Sequence, residues 1–323
     1  MNIKKSILGA LFLLTAFTGG AASAAEEAAK PAAEAAPAAS QPLRYSEKGA
    51  DTCLTCHNES WAVPLHPIFS TKHGNRADKR SPFGPGQLQC EACHGPGGNH
   101  AESGDKSLIL NHGAKSKRPA AEQNALCISC HRDSSHIGWK GSVHESNNVA
   151  CANCHKVHVA RDPVLDKATQ AEVCYACHKK ERADFHKPST HPVRFGRVAC
   201  SECHAAHGSS APGMLAKPTV NQTCYTCHAE KRGPFLWEHA PVAEDCSLCH
   251  TPHGSVYQAL LKKNPPLLCQ QCHSVNGHPS VAYTSGGLPN RGGPSAFLLA
   301  GSCTNCHSQV HGSNHPSGVK LMR

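Results

Sequence analysis

Residues 151–158 read CANCHKVH. Cys151 and Cys154 stand one helical turn apart, His155 follows at once, and His158 comes three residues later. A C-x-x-C pair alone fits a zinc ribbon, a redox pair or a disulfide framework. None of those requires a histidine at the next position. Read outward in both directions, the five-residue pattern recurs ten times and uses all 20 cysteines. The cysteines are Cys53, Cys56, Cys90, Cys93, Cys127, Cys130, Cys151, Cys154, Cys174, Cys177, Cys200, Cys203, Cys224, Cys227, Cys246, Cys249, Cys269, Cys272, Cys303 and Cys306. The histidines that follow the pairs are His57, His94, His131, His155, His178, His204, His228, His250, His273 and His307. With 25 histidines in 323 residues, ten such placements by chance have a probability of about 10⁻¹¹.

C-x-x-C-H is the attachment signal of c-type haem. Two thiols one turn apart reach the two vinyl groups of the macrocycle and form thioether bonds. The next residue then lies under the same ring and binds the iron as proximal ligand. No cysteine remains for disulfides, so the usual reading of a cysteine-rich exported chain does not apply. The composition agrees with a haem core. Aromatic residues are 5%, mean hydropathy is −0.41, and Gly and Pro number 27 and 23. Apolar side chains alone build a poor core from such a chain. The expected fold is a multihaem cytochrome c: short α-helices and loops wrapped around ten haems, elongated, with little or no β-sheet.

The first 24 residues read as a secretory signal peptide. Lys4 and Lys5 open it, Ile7 to Phe17 is a short apolar run, and Ala22-Ser23-Ala24 is an A-x-A cleavage site. The apolar run is shorter than the ~20 residues a membrane-spanning helix needs. Residues 25–43, rich in Ala and Pro, read as a flexible tether. Residues 44–323 form the cytochrome domain. Export suits c-type haem, which is attached outside the cytoplasm.

The formal charge of +9 includes Lys4 and Lys5. Each ferric haem with two neutral imidazole ligands carries a net −1, because two propionates outweigh the +1 centre. Ten haems bring the processed protein to about −3, so the basic sequence does not imply a nucleic-acid partner. Lys and Arg fit propionate partners and solvated surface.

The remaining histidines show a repeat. The motifs group into five two-haem units starting near 53, 127, 174, 224 and 269. In each unit one histidine lies in the loop between the motifs: His73, His144, His191, His239 and His278. Another follows the second motif closely: His100, His158, His207, His253 and His311. These two sets supply one distal ligand per haem. The chain after the attachment turn is expected to stay helical, so that i and i+3 share a face. Because one iron needs its ligands on opposite sides, His155 and His158 serve different haems, and the close histidine reaches a neighbouring one. His66, His112, His136, His186 and His315 are left over and read as solvated or propionate-bonding residues. Trp61, Trp139 and Trp237 read as ordinary packing or as haem-edge contacts. Outside the signal the only methionines are Met214 and Met322, so bis-His ligation is expected throughout. Six-coordinate haem has no open position for substrate. The chain therefore reads as an electron-transfer protein with no catalytic residues, not an enzyme.

The strings GADTCLTCH, LQCEACHGPGGNH, VACANCHKVHVARDPVL, NQTCYTCHAEKRGPFLWEHAPV, LCQQCH and CHSQVHGSNHPSG resemble those of the decahaem cytochromes of the MtrA/DmsE type, which include PioA and MtoA proteins. The resemblance runs from about Ser46 to Arg323. It implies a wire held inside an outer-membrane β-barrel porin, carrying electrons between periplasm and cell exterior in metal or dimethyl sulfoxide respiration or in Fe(II) oxidation. It also implies partners: periplasmic or inner-membrane cytochromes on one side and an extracellular multihaem cytochrome or reductase on the other. The chain has neither spanning helices nor alternating barrel strands, so it makes no direct lipid contact. Ten groups of ~10 Å each, about a helix width, outreach a ~30 Å hydrocarbon core if set in a row. A free periplasmic shuttle or store is the alternative reading, and a multihaem reductase a third. The intact mass of the secreted protein is expected to equal residues 25–323 plus ten haems, none of which acidic acetone extracts.

Overall fold

The computed structural model describes residues 42–133, 136–273 and 303–323. The signal segment and nearly all of the tether lie outside them, as does His278. Leu43–Arg323 hold together as one unit.

That unit is built of single helical turns and loops. The longest α-helices, Ala120–Ile128 and Lys167–Tyr175, have nine residues each. Among the described residues there is no strand, only four isolated bridges such as Ser189 with Ser255 and His204 with Leu215. Helices stay short because the sequence keeps interrupting them. Pro163, Pro192 and Pro212 each open a one-turn 3₁₀ segment at the first helical position, where a missing N–H costs nothing. The motif helices Cys151–Cys154 and Cys200–Cys203 end at the second cysteine. The following histidines are extended, with ψ of 136° at His155 and 139° at His204. This corrects the expected helical path to His158 and His207. The chain turns away at once, which separates neighbouring histidines more sharply than a helix face does.

The apolar core is thin. Half of the buried apolar side chains are alanines: Ala50, Ala120, Ala150, Ala171 and Ala199. One small cluster joins Ala171, Tyr175, Phe185 and Val193. Hydrogen bonds carry much of the local order. In three successive units a buried carboxamide just before the first motif grips the backbone N–H that opens the second motif helix. Asn124 Oδ1 accepts from Cys151 N at 2.8 Å, Gln170 Oε1 from Ser201 N at 2.9 Å, and Asn221 Oδ1 from Cys246 N at 2.7 Å. Asn221 Nδ2 also donates to Val242 O and Ala243 O. Each clamp sets the two motifs of a unit side by side.

Successive units interlock through glycine. The close histidines His207, His253 and His311 are each followed by one: Gly208, Gly254 and Gly312. At Gly208, with φ +110°, a Cβ would stand 2.1 Å from Gly138 O in the preceding unit. At Gly254 a Cβ would stand 2.0 Å from Asp184 O, again in the preceding unit. Both clashes are with backbone, which has no side-chain freedom to yield. The second and third units, and the third and fourth, touch in this way, as neighbours do in a one-dimensional arrangement. Gly208→Ala combines the clash with a strained φ. It is expected to destabilise the haem-loaded protein by about 1–3 kcal/mol, read as a lower thermal midpoint in the haem-band melting curve.

Candidate haem-binding sites

Each motif begins its turn with backbone bonds from the histidine N–H to the first cysteine carbonyl. His57 to Cys53, His155 to Cys151 and His204 to Cys200 are each 2.9 Å. That turn puts both thiols and the imidazole on one side of the backbone. None of the 20 cysteines is joined in a disulfide. First cysteines of the two motifs in a unit lie close enough to shift each other's thiol: Cys53 with Cys90, Cys127 with Cys151, Cys174 with Cys200, Cys224 with Cys246, and Cys269 with Cys303. Second cysteines sense the unit that follows: Cys93 feels Cys127, Cys154 feels Cys177, Cys203 feels Cys227 and Cys249 feels Cys272. The attachment points therefore succeed one another in chain order.

The histidines face each other in pairs. A metal–imidazole bond of about 2.0–2.1 Å on each side of one metal puts two opposed ring centroids roughly 6 Å apart. Among the described residues nine pairs lie 5.9–6.4 Å apart, while His136 stands nearer to His131, at 5.6 Å. Ring centroids are 6.3 Å apart for His57 and His100, 6.0 Å for His94 and His158, and 5.9 Å for His131 and His73. They are 6.1 Å for His155 and His207, 6.2 Å for His178 and His144, and 5.9 Å for His204 and His253. They are 6.4 Å for His228 and His191, 6.2 Å for His250 and His311, and 6.1 Å for His273 and His239. Every pair joins one motif histidine to one member of the loop or close set. His307 is the remaining motif histidine, and His278, the remaining loop histidine, lies outside the described residues.

The pairing follows one rule. The loop histidine of a unit faces the first motif of the next unit. The close histidine of that next unit faces the second motif of the one before. Only at the N-terminal end does a close histidine, His100, face a motif of its own unit.

Burial favours the neutral, metal-binding form at several of these rings. Burial, then the facing His131, pushes the His73 pKa down. Burial likewise lowers His158 and His253. Burial takes His94 down to about 4 against a hydrogen bond to Leu110 O that works upward. A neutral ring binds metal; a protonated one does not. The second ring nitrogen is also occupied. Nδ1 hydrogen-bonds to Leu110 O in His94 at 2.7 Å, to Ala206 O in His144 at 2.8 Å, and to Pro252 O in His191 at 2.8 Å. It does so to Gly213 O in His204 at 2.9 Å, to Val310 O in His239 at 2.9 Å and to Ala259 O in His250 at 2.7 Å. A carbonyl can only accept, so Nδ1 is the protonated nitrogen and Nε2 keeps its lone pair for metal. Ala206, Pro252 and Val310 directly precede His207, His253 and His311, so one peptide positions two ligands at once.

Three of the leftover histidines make contacts of their own. His112 bonds Cys93 O through Nε2 at 2.7 Å, and His186 bonds Arg182 O through Nδ1 at 2.7 Å. His136 pairs with Asp133 at 2.7 Å and packs 4.7 Å from His207, too close for a metal between them. Trp61 meets His57 edge-on at 4.5 Å, and Trp139 meets His207 at 6.2 Å.

These residues fit covalently attached haem. The thiols, the opposed imidazoles and the oriented Nδ1 bonds all match. The buried donors Trp139 Nε1 and Tyr175 Oη have no hydrogen-bond partner, as expected where a polar cofactor group completes the site. Sequence reasoning missed the carbonyl partners, the carboxylate of Asp162 on His155 and the carboxamide clamps. The His-Gly steps were visible but carried no meaning without the crossing of units.

Comparison with known proteins agrees. The family described as a doubled CXXCH motif matches residues 191–233 and 239–278. The family described as cytochrome c-type protein, NrfB-like, matches residues 90–168. The multiheme cytochrome MtrA of Shewanella baltica (strain OS185) is 53% identical over 280 residues, covering 86% of this chain and 83% of that protein. An undecaheme cytochrome from the S-layer of Carboxydothermus ferrireducens is 18% identical, covers 53% of this chain and 32% of its own, and has a TM-score of 0.15. With the motifs and this degree of identity, the chain belongs to the MtrA family of multihaem c-type cytochromes.

Proposed function

We propose that this chain is a ten-haem electron wire with bis-His ligation, acting within an outer-membrane β-barrel complex to move electrons between periplasm and cell exterior. The observation that carries the reading is the set of nine opposed histidine pairs, 5.9–6.4 Å apart, handed from each unit to the next. His307 and His278 complete the ligand set in this reading. Haem supplies one-electron chemistry when bound. The paired histidines of this chain would hold the iron from two sides, exclude competing ligands and leave consecutive attachment points adjacent. An arrangement that passes ligands only to immediate neighbours suits sequential hopping and gives no site for substrate.

No described helix is long and apolar enough to cross a membrane. The surface instead carries scattered ion pairs such as Arg44 with Glu102, Lys180 with Asp184 and Arg161 with Asp166. A wire through hydrocarbon therefore needs a sleeve from a partner, and a barrel is the architecture that leaves a polar lumen. The relative's printed name, a multiheme cytochrome, fits the same role.

Two experiments test this. Gentle detergent extraction of the outer membrane is expected to bring the chain down with a β-barrel. Vesicles carrying the pair should then pass electrons from an external reductant to an enclosed dye. A chain recovered only free in the periplasmic fraction, with no barrel, contradicts the proposal in favour of a shuttle. Separately, His253→Ala is expected to open the iron bound by His204. One haem in ten should then bind CO when reduced, where wild type binds none.

A further inference from the structure

One second-motif histidine departs from the repeat at a single atom. In the third and fourth units the proximal histidine of the second motif bonds a backbone carbonyl nine residues on, His204 to Gly213 O and His250 to Ala259 O. His94 and His307 also bond carbonyls, those of Leu110 and Lys320. His155 instead gives its Nδ1 proton to the carboxylate Oδ2 of Asp162 at 2.7 Å.

Asp162 is built for that role. Its side chain is 14% exposed. Its Oδ1 accepts from Lys156 N at 3.2 Å and Val164 N at 3.3 Å. Those two bonds pin the carboxylate and leave Oδ2 aimed at the ring. Other motif histidines have acidic neighbours but not this contact. Nδ1 of His178 is 3.8 Å from Glu181, and Nδ1 of His228 is 3.6 Å from Glu230, whose side chain is 59% exposed. Both distances exceed a hydrogen bond, and solvent screens such pairs.

A carbonyl offers a partial negative charge to the Nδ1 proton; a carboxylate offers a full one. The carboxylate draws the proton towards itself and gives the ring imidazolate character. That makes the ring a more basic ligand. A more basic axial ligand favours ferric over ferrous iron, and hydrogen bonding around the ligand is one of the levers that set haem potential. We propose that Asp162 is a positioning residue that tunes the haem on Cys151 and Cys154 to be the most reducing of the five second-motif haems. The inference rests on the bis-His reading above. It places an uphill step in the wire between the third and fifth haems, where an arriving electron dwells least. On the opposite face of the same site, the facing His207 packs on His136 at 4.7 Å and is followed by the Gly208 crossing.

The test is a potentiometric titration of the full haem-loaded protein, followed at the haem absorption bands, for wild type, D162N and D162E. Asp162→Asn keeps an acceptor oxygen but removes the charge. The expected result is that about one tenth of the absorbance change moves to higher potential in D162N. The other nine tenths should overlay wild type, and D162E should return the shifted fraction towards its original position. A D162N protein with full haem content and a titration superimposable on wild type overturns the proposal. If D162N loses haem, the wild-type protein decides the question by near-infrared magnetic circular dichroism. About one tenth of the low-spin charge-transfer intensity should lie at higher energy than the rest. A single band at the bis-imidazole position overturns the proposal. A high-spin band instead overturns the bis-His reading beneath it, so the two failures are distinguishable.

Discussion

In the proposed reading two imidazoles from different stretches of chain must meet at one metal, and the histidine geometry of this structure suits that requirement. A proximal histidine comes with its own thiols, but the distal one has to be delivered from elsewhere. Here delivery is reciprocal: each unit lends a loop histidine forward and the next unit lends its close histidine back. His191 reaches His228 while His253 reaches His204. No internal unit then completes its own sites. On that reading folding and ligation become one problem, with metal ligation supplying folding energy as it does in small metallo-domains.

The peptide pays for little of its own order. Fixing a backbone costs roughly 1–2 kcal/mol per residue, and a core of five alanines and a few larger side chains does not return that over the length of this chain. The fold compensates locally, through carboxamide clamps at Asn124, Gln170 and Asn221 and through close backbone crossings at Gly208 and Gly254. These fix where each histidine starts and in which direction it points. In the proposed reading the large burial term comes from the macrocycles that the motif thiols would hold.

Much of this was legible in the amino-acid sequence because the chemistry is written in contiguous letters. C-x-x-C-H names its cofactor, and ten repeats with no spare cysteine leave little else to consider. Division of the other histidines into a loop set and a close set followed from position alone, and the nine pairs draw their members from those two sets. What position could not give was the partner of each. That depends on which unit crosses which, and the crossing is set by glycines and peptide carbonyls that carry no chemical signature. The path after the motif is hidden for a related reason: Cys151–Cys154 and Cys200–Cys203 both stop at one turn, and the histidine that follows turns to an Nδ1 acceptor further along the chain, Gly213 O for His204 and the Asp162 carboxylate for His155. That contact spans seven residues and has no counterpart in the sister units, so no repeat pattern announced it.

The proposed wire requires that every iron have both axial positions filled by this chain. Low-temperature electron paramagnetic resonance of the purified ferric protein, with CO added after reduction, tests it most directly. The expected result is low-spin signal from all ten haems and no CO adduct. A high-spin, CO-reactive haem in undamaged protein would contradict it, because an iron open to CO has no distal histidine, and a site for substrate would then exist in what is described here as a wire.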